Sequence, residues 1–193
     1  MRMIIPTAAA AAALLALSAC TTSPGPQRTP SSMARAPAAQ STAKQAVANL
    51  SAASGSLVSG KVTLMPMGGG VHMTGMVGGL APNSVHGFHV HEKGDCSAAD
   101  ASSAGGHFAP ASNPHGKRGS GPHHAGDIDN ITANAEGVAS INAHLDDVTL
   151  GGGAGNDIAG RAIVVHANAD DYTSQPSGDA GARVACGLIN ATM

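Results

Sequence analysis

The chain has no tryptophan, one tyrosine and two phenylalanines, so aromatics are 2% of its 193 residues. Charge is also scarce: Asp, Glu, Lys and Arg make up 11%, and the formal net charge is −2. This excludes the basic face with which nucleic-acid binders meet phosphates, and no nucleic-acid partner is expected. Long hydrophobic runs are lacking too. The apolar stretch from Ile4 to Leu17 is interrupted by Pro6 and falls short of the roughly 20 residues that a membrane-crossing helix needs. Cysteine is limited to Cys20, Cys96 and Cys186. Glycine, by contrast, is abundant, with 26 residues. Few aromatics with much Gly, Ala, Val and Thr point to a β-rich domain with long loops rather than a helical bundle.

The N-terminus reads as an address rather than as fold. Met1-Arg2-Met3 supplies a positive start, the apolar stretch follows, and residues 1–19 have the form of a secretory signal. Leu17-Ser18-Ala19-Cys20 resembles the bacterial lipoprotein cleavage box, which implies lipid on Cys20, a lipid anchor in a membrane and a place in the periplasm or cell envelope. Thr21 after that cysteine is compatible with sorting to the outer membrane. Residues 20–43 form a tether, with Pro24, Pro26, Pro30 and Pro37 among Ser, Thr, Ala and Gln. Too little apolar surface is present there to offset ordering entropy, and such a coil spans about 25–30 Å. With Cys20 lipidated, Cys96 and Cys186 are left to pair in an oxidising compartment, two buried thiols being the alternative.

Residues 44–193 carry the domain. Strands are expected over Ala46–Leu50, Leu57–Leu64, Val71–Val77, Val85–Glu92, Val138–Leu145, Arg161–Ala167 and Arg183–Asn190. Short strands separated by glycine-rich turns suggest an antiparallel sandwich or barrel. Two segments show no period, Lys93 to Asn130 and Asn168 to Ala182. Loops of that length in a compact domain are usually functional.

The histidines cluster accordingly. Of ten, seven lie between His86 and His124. His89 and His91 flank one valine, and residues two apart on a strand share a face, so two imidazoles can converge on one ion. His107, His115, His123, His124, Asp127 and His166 are further candidate ligands.

Six ordered segments carry a resemblance: Gly87-Phe88-His89-Val90-His91, Gly105-Gly106-His107-Phe108, Asn113-Pro114-His115-Gly116, His124-Ala125-Gly126-Asp127, Val165-His166 and Gly181-Ala182-Arg183-Val184-Ala185-Cys186-Gly187. In order and near-spacing they resemble the copper/zinc superoxide dismutase family over residues 44–193, in its exported bacterial lipoprotein form. The resemblance implies an all-β fold, an eight-stranded Greek-key β-barrel (an immunoglobulin-like sandwich) with two long functional loops. It implies copper on His89, His91, His107 and His166, and zinc on His107, His115, His124 and Asp127, one of each per subunit. His107 would bridge the two metals. The implied activity is disproportionation of superoxide to dioxygen and hydrogen peroxide, with copper cycling between Cu(II) and Cu(I), protecting the envelope.

The same resemblance assigns Arg183 to attracting the anionic substrate and Asp170 to bridging His89 and His115. Asp170 is preferred to Asp171 by its four-residue offset from His166. His124 is preferred to His123 because it alone has the His-x-Gly-Asp spacing. His86 is expected to be a hydrogen-bonded core histidine, and His72 and His144 surface residues. Lys93, Lys117 or Arg118 are expected to steer substrate, since Asn168–Ala182 holds no Lys or Arg. A metal buffer or copper-delivery domain of the same family would often lack a copper ligand or the arginine; this chain has both. A monomer and a homodimer are both open.

Overall fold

In the computed structural model, residues 39–192 are described. The expected signal segment 1–19, Cys20 and most of the tether lie outside them. Ser41, Thr42 and Ala43, counted above with the tether, already bond to the domain. The Ser41 hydroxyl accepts from the Leu150 amide at 2.9 Å, and the Thr42 and Ala43 amides donate to the Leu150 carbonyl.

Ten strands follow: β1 Gln45–Ala52, β2 Ser59–Met67, β3 Gly70–Gly78, β4 Val85–His86, β5 Phe88–His91, β6 Ile131–Thr132, β7 Ala139–Asp146, β8 Ala162–His166, β9 Arg183–Leu188 and β10 Asn190–Thr192. The one helical element among the described residues is a 3-10 turn at Ser102–Ala104. All the strand pairings are antiparallel, in the order β5-β8-β9-β1-β2-β3-β7, with β10 also on β1 and β4 on β6. A bridge between Ala133 and Ala139 links the end of β6 to β7. Since β4 runs on into β5, the circuit closes. Counting β4–β5 and β9–β10 as interrupted single strands gives the eight expected. The connections from β3 to β4 and from β7 to β8 skip over intervening strands, which is the Greek-key pattern.

The expected fourth strand, Val85–Glu92, is broken at Gly87. A Cβ there would lie 3.0 Å from the Ala180 Cβ and 3.1 Å from the His89 ring. The Gly87 amide donates to the Asn168 carbonyl at 2.8 Å, so the second long loop docks at the break.

Alternation places the core. On β3, Val71, Met73 and Val77 are buried while Thr74 and Met76 are exposed. On β5 every residue is buried. Phe88 and Val90 join the apolar cluster with Ile163, Val165 and Leu64. His89 and His91 take the other face, and the long loops cover them.

Candidate metal centre

Two loop segments are stitched alongside β5. The Phe108 amide donates to the Val90 carbonyl, the Val90 amide to Gly126 and the Gly126 amide to Phe108, each at 2.9 Å. Bridges pair His91 with His107 and His89 with Asp127. Gly126 permits this approach, for a Cβ there would sit 2.2 Å from the Val90 carbonyl oxygen. The barrel thus fixes His89, His91 and His166, and the docked loop brings His107, His115, His124 and Asp127 beside them.

The result is two buried tetrads that share one member. His89, His91, His107 and His166 each offer a ligand atom, all within 4.8 Å of one another, and so do His107, His115, His124 and Asp127. Rings of His89 and His107 are 4.0 Å apart, and those of His107 and His124 are 5.4 Å apart. His123 is outside both sets and turns its Nδ1 to the Gly121 carbonyl at 2.8 Å.

Hydrogen bonds on the far side of each ring decide which nitrogen faces inward. An ionised carboxylate and a carbonyl only accept, so the ring nitrogen against them carries the proton and the other keeps its lone pair. His89 Nε2 donates to Asp170 Oδ2 at 2.8 Å, and His115 Nε2 donates to Asp170 Oδ1 at 2.9 Å. Their Nδ1 atoms therefore face inward. His91 Nδ1 donates to the Gly105 carbonyl at 2.9 Å, and His166 Nδ1 is 3.3 Å from the Gly181 carbonyl. Their Nε2 atoms face each other across 3.3 Å. Two lone pairs so close repel unless a cation or proton lies between them.

The donor set fits metal by a second measure. His89 Nδ1, His107 Nε2 and His115 Nδ1 are buried with no hydrogen-bond partner among the described residues. Asp127 Oδ1 is contacted at once by His107 Nδ1 at 2.8 Å and by the Nδ1 atoms of His115 and His124 at 3.1 Å. Four imidazoles suit copper, and three imidazoles with a carboxylate suit a closed zinc site.

Charge is tuned to match. Desolvation, helped by the neighbouring His107, lowers the pKa of His91 to about 2. Burial lowers that of His166 to about 3. Burial lowers His107 to about 4 although its bond to Asp127 works the other way. At neutral pH these rings are neutral, the form that ligates. Burial alone would raise Asp127, but hydrogen bonds from His107 and His124 outweigh it and hold the carboxyl well below its usual range. In Asp170 burial is likewise outweighed, by bonds from His89, the Tyr172 amide and His115.

Asp170 is itself held. Its amide donates to Asn130 Oδ1 at 2.8 Å, and Asn130 Nδ2 returns a bond of 2.8 Å to its carbonyl. Gln175 clamps the His115 backbone from the second loop, accepting at 3.0 Å and donating at 2.9 Å. Neither Asn130 nor Gln175 stood out in the sequence, because each lies in a segment without period. His86 is satisfied as expected, with Nδ1 2.8 Å from the His166 carbonyl and Nε2 2.6 Å from the Ser84 hydroxyl.

A cavity of about 330 Å³ opens onto the first tetrad and is lined by His91, His107, His166, Pro176, Gly181 and Arg183, among others. Arg183 is fixed by bonds of 2.6 Å to the Ala101 and Gly105 carbonyls. Cys96 and Cys186 form a disulfide, Cα to Cα 5.8 Å, that ties the same loop to β9. Two of the three residues expected to steer substrate, Lys93, Lys117 and Arg118, have local partners of their own. Arg118 is paired with Asp146 at 2.9 Å, Lys117 lies 5.0 Å over the Tyr172 ring, and Arg183 alone among Lys and Arg lines the cavity.

A family model described as copper/zinc superoxide dismutase matches residues 58–189. The chain belongs to the copper/zinc superoxide dismutase family. It is 43% identical over 135 residues to a Cu-Zn superoxide dismutase of Caulobacter vibrioides, covering 67% of this chain and 77% of that protein. It is 39% identical over 135 residues to Cu-Zn superoxide dismutase 2 of Aquifex aeolicus, covering 68% and 79%. Among solved structures, a double mutant of a SOD-like protein from Bacillus subtilis superposes with a TM-score of 0.68 at 34% identity, covering 75% of this chain and 96% of that one.

Proposed function

We propose that the chain disproportionates superoxide to dioxygen and hydrogen peroxide at the cell envelope, with copper on His89, His91, His107 and His166 and zinc on His107, His115, His124 and Asp127. The observation that carries this reading is His107, whose single ring belongs to both tetrads. Bound copper supplies one-electron exchange with superoxide by alternating between Cu(II) and Cu(I), and zinc, which has no redox chemistry, is structural.

The protein's own residues do the rest. Arg183 presents a fixed positive charge on the cavity, which draws in and orients a small anion. His107 is held on its Nδ1 side and has Nε2 without a protein partner, so it can take up and hand over a proton at Nε2. Asp170 locks the tautomers of His89 and His115, keeping each ring's lone pair aimed inward. The loops bury both tetrads and leave the first one approachable through the cavity beside Arg183.

Export and anchoring are the second half of the proposal. Residues 1–19 direct the chain out of the cytoplasm, lipid on Cys20 holds it to a membrane, the outer one favoured by Thr21, and the remaining residues of the tether set the domain off the surface. A disulfide between Cys96 and Cys186 fits an oxidising compartment.

The test uses the full chain produced with both metals available. Copper and zinc are counted and superoxide consumption is measured. One of each per chain with rapid consumption is expected, and full copper loading without activity would reject the enzyme. Cys20→Ala should move the protein from the membrane fraction to the soluble one; an unchanged distribution would reject the anchor.

A further inference from the structure

Seven of the ten histidines are accounted for by the tetrads and by His86. His72 and His144 are not, and the fold sets them side by side. His72 on β3 pairs directly with His144 on β7. Both point away from the core, each partly buried among neighbours. Their ring centroids are 6.2 Å apart, against 5.9 Å for His107 and His166 within the first tetrad. Two rings at that spacing can meet one ion with only side-chain rotation.

Three further facts point to a cation. The Nδ1 atoms of both rings are buried and have no hydrogen-bond partner among the described residues. A buried polar nitrogen left without a partner costs about 1–3 kcal/mol, whether it donates or accepts, and a bound cation would relieve that cost. Asp146 lies two residues beyond His144 on the same face, with Oδ1 3.3 Å from His144 Nε2 and Oδ2 taken by Arg118 at 2.9 Å. On the other side of His72, Met65 is its partner on β2 and is 47% exposed, adding a thioether to the border.

We propose that His72, His144 and Asp146 form a third metal site, on the outer face of the barrel, that takes a divalent cation of borderline softness. Two imidazoles and a carboxylate bind copper(II) most tightly among the first-row divalent ions. Being open to solvent and short of a fourth protein ligand, the site binds more weakly than the buried tetrads and exchanges its ion freely. It does not depend on the catalytic reading, because none of its residues belongs to either tetrad.

The test starts from the full chain with both tetrads already filled and counted, then adds copper(II) alone. Equilibrium dialysis gives the stoichiometry, and electron paramagnetic resonance gives the ligand type. A third equivalent with a nitrogen-rich signal is expected in the wild type. His72→Gln and His144→Gln should each weaken it at least tenfold, His123→Gln should leave it intact, and superoxide consumption should stay the same in all three. Absence of a third equivalent, or one that survives the His72→Gln, His144→Gln double variant, overturns the proposal. Loss of metal from the tetrads would show in the initial count and is a separate result.

Discussion

The two faces of β5 are built from one four-residue strand and held by opposite means. Phe88 and Val90 face inward and are fixed by apolar packing. His89 and His91 face outward and are fixed by hydrogen bonds to Asp170 and the Gly105 carbonyl. The inner face excludes water through close contact and tolerates no vacancy. The outer face buries polar nitrogens whose lone pairs have no protein partner, an arrangement that is costly unless something charged completes it. A rigid apolar wall therefore carries a polar site that the barrel alone does not stabilise.

Adjacent substitutions on β5 separate the two faces most sharply. His91→Ala removes one inward lone pair and should lower superoxide consumption at least 100-fold (about 2.7 kcal/mol in the barrier), with the melting temperature of the metal-free protein little changed or raised. Val90→Ala should do the reverse. Two lost carbon atoms and the resulting cavity should cost about 2–3 kcal/mol of stability, read by denaturant unfolding, while the folded variant keeps its metals. If Val90→Ala emptied the site and left stability intact, the division between the faces would be wrong.

The loop that completes the outer face is tied down covalently. Replacing Cys96 and Cys186 by serine should cost about 2–5 kcal/mol, and should free the carbonyls of Ala101 and Gly105 that hold Arg183. Activity should therefore fall even at temperatures where the barrel is folded. Gly178→Ala changes no ligand residue, but it crowds both Asp170 and His115, whose Nε2 would lie 2.7 Å from the new Cβ. The same Cβ would stand 1.8 Å from Asp170 Oδ1, at a φ of +67° that disfavours a side chain. Displacing Asp170 should weaken metal retention about 10–100-fold, measured by competition with a chelator.

The last test is pH. His91, His107 and His166 have folded pKa values below the ordinary 6.5, so the unfolded chain binds more protons as pH falls. Their contribution to the metal-free protein is complete above about pH 6.5 and is lost on acidification from there toward pH 4 and below, at up to about 1.4 kcal/mol per pH unit for each ring. Asp127 adds a loss below the ordinary carboxylate range. Denaturant titrations of the metal-free protein at pH 7 and pH 5 should show the drop, and equal stabilities would contradict it.

Legibility in the sequence follows the same division. The strands with apolar alternation, such as β3 and β7, can be located from period alone, since one face meets the core. The break at Gly87 could not, because it is caused by Ala180 and the Asn168 carbonyl, some 93 and 81 residues away in the chain. The two-residue strand β6 is too short to show a period. Among site residues, same-face geometry marks only His89 and His91; His107, His115, His124, Asp127, His166 and Asp170 were assembled through the family resemblance. Asn130 and Gln175 carry no local signal, for their roles are backbone bonds made across loops. The charges of Lys117 and Arg118 were visible, but not that a tyrosine ring and Asp146 occupy them.

The central claim is that one imidazole, His107, joins two metal sites. Zinc retention in His107→Ala, measured after dialysis alongside copper content, tests it most directly. Loss of zinc affinity together with loss of superoxide consumption is predicted, even though three zinc donors, His115, His124 and Asp127, remain in place. Unchanged zinc retention in that variant would contradict the account.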